Sequence, residues 1–379
     1  MSWAKALAGS SPAPGTVKKI LIVTSEYGSG HKMPAEALCA EFVRQGHSAE
    51  VFDFKDIIGR FTERITKELF NFATTHVPLL HRGLAAATDS NTVLDAIVAM
   101  APAKVSENLE AHIQKMRPDT IVTTFPAANR LIAELKIKYN FQLVSVVTDL
   151  ETLHAYWFAP GTDAYIAPLP ETVAALKELG ASADTIYELG FPLRAAFFEH
   201  KDVSALRKKL SLPGNSFTAL YMAHTAPDPF VEDLAWLLER AGGITPVIVC
   251  GKNDALKERL SRELPRAHVL GFIDNMDEYF RVADVAIGKA GTGFVMEAAA
   301  MGCPVVITKY IKPQEEGNVD IFVKRGFGFV EKTAVRAIRR VLAIKSEPAT
   351  AKEERSRAMR ALFPRNTTEA IVRFVADLK

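Results

Sequence analysis

Two glycine loops carry the residues that could do chemistry. In the first, Gly28-Ser29-Gly30-His31 follows the apolar run Ile20-Leu21-Ile22-Val23 and precedes a stripe of Leu38, Cys39, Phe42 and Val43 at helical spacing. Glycine at such a junction permits a tight turn and lets a ligand approach a helix N-terminus, with Pro34 suiting the first turn. A neutral imidazole at His31 could take the proton of an attacking hydroxyl, although the same residues also make an ordinary β–α turn with an exposed histidine. In the second loop, Lys289-Ala290-Gly291-Thr292-Gly293 separates the run Val285–Gly288 from an apolar helix closed by Gly302. Backbone N–H groups at Gly291, Thr292 and Gly293, backed by the positive end of a helix dipole, suit a diphosphate. Glu297, one turn on, could accept hydrogen bonds from ribose hydroxyls. Gln314-Glu315-Glu316-Gly317-Asn318 gathers the amides and carboxylates that distinguish sugar hydroxyls, or else caps a helix with solvated acids.

Neither loop fits the commoner nucleotide signatures. Lys32 or Met33 occupies the third glycine position of a dinucleotide fingerprint, and no Gly-Lys-Ser/Thr completes a P-loop. The chain has no Asp-x-Asp pair to hold a metal on a diphosphate.

The elements that must position these residues alternate. Lys18–Thr24, Ala49–Phe54, Thr120–Phe125, Leu143–Thr148 and Ala164–Ala167 read as strands in the first half. Phe217–Met222, Pro246–Gly251, His268–Gly271, Val285–Gly288 and Pro304–Thr308 do so in the second. Short Val- and Ile-rich runs flanked by Gly or Pro, with helices between them, predict buried parallel strands in doubly wound α/β sheets. A flexible tail over 1–16, a first domain over 17–195, a second over 203–350, and a C-terminal helical stretch over 351–379 packing back on the first are expected. The 379 residues suit two such domains.

Forty-six basic and 44 acidic residues leave a net charge of +2, which gives no electrostatic footprint for nucleic acid. Cys39, Cys250 and Cys303 have neither disulfide nor metal spacing and read as buried free thiols of a reducing compartment. No uninterrupted apolar run reaches the ~18 residues of a transmembrane helix, so any membrane contact is expected to be peripheral.

These motifs together resemble the monogalactosyldiacylglycerol synthase and glucosyl-diacylglycerol synthase family. The likeness runs from Lys18 to Gly328 and includes Val147-Thr148-Asp149-Leu150 with His154 and Trp157, Gly190-Phe191-Pro192-Leu193-Arg194, and Val249-Cys250-Gly251-Lys252-Asn253. It implies a GT-B fold: two Rossmann-like, doubly wound α/β domains facing an interdomain cleft, the acceptor held mainly by the first and the UDP-sugar by the second. By resemblance, Phe272 and Ile273 lie beside the uracil and Glu297 holds the ribose. Arg194 and the loop Gly291-Thr292-Gly293 meet the diphosphate; Gln314 and Glu315, with Asn318 beside them, meet the donor sugar. Gly28, Gly30 and His31 fall on the acceptor side, as do His154 and Trp157, which could equally be core packing. Arg194 taken alone reads as a surface ion-pair residue.

The implied activity is an inverting, metal-independent transfer of a hexose from UDP-glucose or UDP-galactose to diacylglycerol or a related glycerolipid, with no cofactor. His31 is the favoured base, with Asp149 as competitor or as the group that orients it. Residues 57–100 mix Phe and Leu with Arg, Lys and His, which suits a cytoplasmic, peripheral protein on an anionic membrane surface, or an ordinary helical subdomain. A polyprenyl-linked or soluble acceptor, a GT-B-like epimerase, and a degenerate UDP-sugar sensor are the alternatives. Two positions depart from the family pattern: Ala223–Pro229 contains no glycine, and Phe125 precedes Pro126 where the family has histidine.

Overall fold

The computed structural model describes residues 17–25, 29–54, 102–223 and 229–378. Gly28, the tail over 1–16, the stretch 57–100 and positions 224–228 of the glycine-free loop lie outside the described residues. The chain divides into two compact units: Asp149–Thr152 with Leu193–Thr367 form the second, and the rest forms the first.

The first unit contains β1 (Lys19–Thr24), α1 (Ser29–Arg44), β2 (Ser48–Asp53), α2 (Pro102–Met116), β3 (Thr120–Thr123), α3 (Pro126–Lys136), β4 (Gln142–Val146), β5 (Ala164–Ala167), α4 (Pro170–Glu178) and β6 (Ile186–Glu188). Its strands form one parallel sheet in the order β2-β1-β3-β4-β5-β6. Side chains alternate across a strand, so each apolar run serves two layers. Leu21, Val23, Ile121 and Leu143 pack with Leu109 and Ile113 of α2 and Ile132 of α3. Ile20, Ile22, Val122 and Val144 face Leu38 and Phe42 of α1. Burying such a side chain fully contributes ~1.5–3 kcal/mol. Helix α1 begins at Ser29, so Pro34 falls in its second turn instead of its first. There the missing N–H leaves the Gly30 carbonyl without its intrahelical bond.

The second unit contains α5 (Val203–Lys209), β7 (Phe217–Met222), α6 (Pro229–Arg240), β8 (Ile244–Val249), α7 (Asp254–Glu263), β9 (His268–Leu270), α8 (Met276–Val282), β10 (Val285–Lys289), α9 (Thr292–Met301), β11 (Val305–Lys309), α10 (Glu316–Lys324), β12 (Gly328–Val330), α11 (Ala334–Ser346) and α12 (Ala349–Arg360). Its parallel sheet runs β12-β11-β10-β7-β8-β9. Counted from β7 this is the order 3-2-1-4-5-6 of dinucleotide-binding sheets, with the reversal between β7 and β10. One core joins Tyr221, Ile248, Val285 and Ile287 to Leu234, Leu238, Leu260 and Val341 of the covering helices.

The C-terminal stretch folds as two helices. After α12 comes α13 (Thr367–Asp377), whose Ile371, Val372 and Val375 are fully buried in the first unit's core beside Ile20 and Ile22. The cysteines are free thiols; burial pushes Cys250 up to about 11 and Cys303 further, while Cys39 is only half-buried, because it sits at the margin of the α1 stripe.

Candidate functional site

In an open α/β sheet, ligands collect beyond the carboxyl ends of the strands at the point where strand order reverses. For the first unit that point lies between β1 and β3. His31, in the first turn of α1, is there and is only 5% exposed. Its Nδ1 is 2.7 Å from the Thr148 hydroxyl, just past β4. Thr148 Oγ1 in turn donates to the Thr124 carbonyl at 3.4 Å. The Thr124 hydroxyl lies 3.0 Å from the His31 carbonyl and 2.8 Å from Thr24 Oγ1, tying the ends of β1 and β3 to the start of α1. Phe125, standing where the family pattern has histidine, meets the imidazole edge-to-face at 5.5 Å between centroids.

Trp157 is fully buried, 6.3 Å from the imidazole and packed with Val147, Tyr165 and Leu176, so it backs the histidine from within the core. Asn129 of α3 fixes that wall: its amide donates to the Tyr156 and Trp157 carbonyls at 3.1 Å each and to Ser145 at 3.2 Å. His154 is exposed, and its Nδ1 accepts from the Tyr156 N–H to start the short turn that carries Trp157. Gly30 is half-buried with open space where a Cβ would stand. Asp149, also buried, follows Thr148 directly but groups with the second unit.

In the second unit the corresponding point joins β7 and β10. Gly291 is the N-cap of α9 and provides no side-chain cap, so the first N–H groups of that helix are left to other partners. Asn318, buried in α10, braces this loop from behind: its amide donates to the Ala290 carbonyl at 2.9 Å and lies 3.1 Å from the Thr292 hydroxyl. Thr292 and Asn318 are thus bound to each other within the protein. Open space surrounds Gly293 where a Cβ would stand.

Glu297 sits one turn further along α9. Burial pushes its carboxyl up to about 7; Arg194 opposes that rise, and Asp277 adds to it. Arg194 donates to the Asp274 carbonyl and lies over the Phe197 ring at 5.7 Å, and its buried Nε has no hydrogen-bond partner among the described residues. Phe272 is 71% exposed, with Lys252 Nζ 5.9 Å from its ring centre and half-buried Ile273 next to it.

Gln314 is half-buried, and its side chain has no hydrogen-bond partner among the described residues. Glu315 is engaged: one oxygen pairs with Lys289 at 2.7 Å and the other accepts from the Ile311 N–H at 2.8 Å. The Gly317 N–H donates to Thr152 Oγ1 at 3.1 Å, and a Cβ at Gly317 would meet the Thr152 nitrogen at 2.7 Å. Thr148 and Lys289 stand inside motifs that the sequence shows, but the sequence gives neither a role. The signal for Lys289 was its place at a strand end directly before the glycine loop; Thr148 was visible only as a neighbour of Asp149.

Among the described residues no group of three or more His, Cys, Asp or Glu side chains could hold a metal ion, and no described helix is long and apolar enough to cross a membrane.

Residues 31–193 match the family model of monogalactosyldiacylglycerol (MGDG) synthase, and residues 229–362 match the glycosyltransferase family 28 C-terminal domain. The processive diacylglycerol beta-glucosyltransferase of Bacillus subtilis is 28% identical over 327 residues, covering 83% of this chain and 84% of that protein. The enzyme of the same name from Bacillus cytotoxicus is 30% identical, with 82% and 81% covered. Monogalactosyldiacylglycerol synthase 1 of Arabidopsis thaliana is 28% identical, with 95% and 70% covered. Among solved structures, the glycotransferase of kitacinnamycin aligns with a TM-score of 0.68 at 15% identity, over 96% of this chain and 99% of that one. MurG of Acinetobacter baumannii aligns at 0.62 and 13%, over 95% and 100%. The fold is therefore the two-domain α/β GT-B fold, and the chain belongs to the monogalactosyldiacylglycerol synthase and diacylglycerol glucosyltransferase family.

Proposed function

We propose that the protein transfers a hexose from UDP-glucose or UDP-galactose to diacylglycerol or a related glycerolipid. The observation that carries this reading is the continuous similarity to lipid glycosyltransferases through both units, over 82–95% of the chain. In this mechanism His31 takes the proton of the acceptor hydroxyl. The hydroxyl oxygen forms a bond to the anomeric carbon as the bond to UDP breaks, and the electron pair leaves with UDP. One displacement inverts the anomeric centre. The N–H groups of Gly291, Thr292 and Gly293 and the Arg194 guanidinium meet the growing diphosphate charge in place of a metal.

Phe272 and Ile273 flank the uracil, Glu297 receives the ribose hydroxyls, and the half-buried Gln314 amide reads the sugar. Asn318 and the Lys289–Glu315 pair hold the loops that do so. Gly28, Gly30 and His154 border the acceptor, with Trp157 behind the base; Asp149 remains the competing carboxylate. No separate cofactor takes part. The protein works peripherally at an anionic membrane surface on the cytoplasmic side, with the mixed basic and apolar stretch 57–100 as its contact.

The test follows UDP release from each UDP-sugar in the presence of anionic liposomes containing diacylglycerol, with and without EDTA. Lipid-dependent release with one donor, insensitive to EDTA and lost in His31→Ala, is expected. Tight UDP-sugar binding with no lipid-dependent release would overturn the glycerolipid reading and point to a polyprenyl-linked or soluble acceptor, or to a sensor.

A further inference from the structure

We infer that Thr148 is the positioning residue that fixes the tautomer of His31, a deeper reading that rests on His31 being the base. A neutral imidazole carries one proton, and only the nitrogen without it can accept another. Which nitrogen that is depends on what the other one meets. His31 Nδ1 meets the Thr148 hydroxyl at 2.7 Å. A hydroxyl could donate to Nδ1 or accept from it, so this contact alone leaves the tautomer open.

The next link favours one of the two. Thr148 Oγ1 also faces the Thr124 backbone carbonyl, at 3.4 Å. A carbonyl can only accept, so this bond consumes the single hydroxyl proton of Thr148. The lone pair left on Oγ1 then takes Nδ1–H. The chain runs Nδ1–H to Thr148 Oγ1–H to the Thr124 carbonyl, and the basic lone pair of the ring is on Nε2. The arrangement is held firmly: Thr124 and Thr148 are both buried, and the Thr124 hydroxyl clasps the His31 carbonyl and Thr24 Oγ1. A buried hydroxyl thus does what a carboxylate does in a Ser-His-Asp triad, holding the ring in one tautomer, without placing a negative charge beside it.

The test uses the full-length protein with 15N-labelled histidine and a long-range 1H–15N spectrum, the His31 signals being assigned by their loss in His31→Gln. Wild type should show Nδ1 protonated and Nε2 unprotonated at neutral pH. Thr148→Val, which keeps the shape and removes the hydroxyl, should populate both tautomers. Its kcat should fall about 10- to 100-fold with the KM for the UDP-sugar unchanged, the loss expected for one hydrogen bond to a group that becomes charged. Thr148→Ser should restore both the spectrum and, to within about threefold, the rate. A proton on Nε2 in wild type would overturn the inference, as would Thr148→Val with a wild-type spectrum and rate. Activity surviving in His31→Gln would instead overturn the base assignment, while the wild-type spectrum would still decide the Thr148 bond.

Discussion

Replacing Glu297 by Gln should move stability and donor affinity in opposite directions. Burial raises the Glu297 carboxyl from its ordinary 4.5 to about 7 even against the attraction of Arg194. The folded state therefore holds the proton more tightly than the unfolded state between those values, and stability falls as pH rises through that window. The rise corresponds to roughly 3 kcal/mol once pH is well above 7 and to under about 1 kcal/mol near pH 5. A neutral amide of the same shape escapes this cost. Glu297→Gln should thus raise the melting temperature by about 6–12 °C near pH 8.5 and only slightly near pH 5. The carboxylate is also the proposed acceptor of the ribose hydroxyls, and hydrogen bonds to a charged group are worth about 1.5–3 kcal/mol, so UDP should bind about 10- to 100-fold more weakly. Thermal melts at both pH values and calorimetric titration with UDP give the two readings. An equal gain at both pH values, or no gain at high pH, would refute the electrostatic argument; unchanged UDP affinity would refute the ribose assignment.

Three further outcomes are expected. Arg194→Ala should weaken UDP binding about tenfold or more in calorimetry while leaving uridine affinity nearly unchanged, because the guanidinium is proposed to serve the diphosphate. Phe272→Ala should leave the melt unaltered, since the ring is 71% exposed, but should weaken uridine itself by about 1–3 kcal/mol if the uracil stacks there. Gly317→Ala should destabilise the second unit by about 1–3 kcal/mol in denaturant titration, because the added Cβ would stand 2.7 Å from the Thr152 nitrogen and 2.8 Å from Glu151 Cβ.

Strand runs such as Ile20–Val23 and Val285–Ile287 were legible because both faces of a parallel sheet are covered and the whole run must be apolar. Two strands have no counterpart among the sequence-predicted ones, Ile186–Glu188 and Gly328–Val330; each has three residues, too few for a run to stand out, and lies at a sheet edge. Pro34 predicts a first turn for α1, whereas the helix accommodates it one turn in. At the site, Gly291 and Glu297 could be found by their spacing along one helix. The engagement of Asn318 with Ala290 and Thr292, and of Glu315 with Lys289, joins residues 26 to 28 positions apart. The contact of His31 with Thr148 spans 117. Such pairings arise from strand order, which no local pattern encodes.

The burial of α13 in the first unit also sets an order of assembly on the ribosome. Residues 193–367 of the second unit emerge before α13 does. Until Ile371, Val372 and Val375 arrive, the layer formed by Ile20, Ile22, Val122 and Val144 lacks part of its cover. Domains usually complete in the order of synthesis. Here the unit begun first can finish only after the other has had its whole sequence, so nascent chains should carry an exposed apolar face for most of translation. A stop codon placed just before Thr367 would leave the second unit's core intact and the first unit permanently without the part of its cover that Ile371, Val372 and Val375 supply.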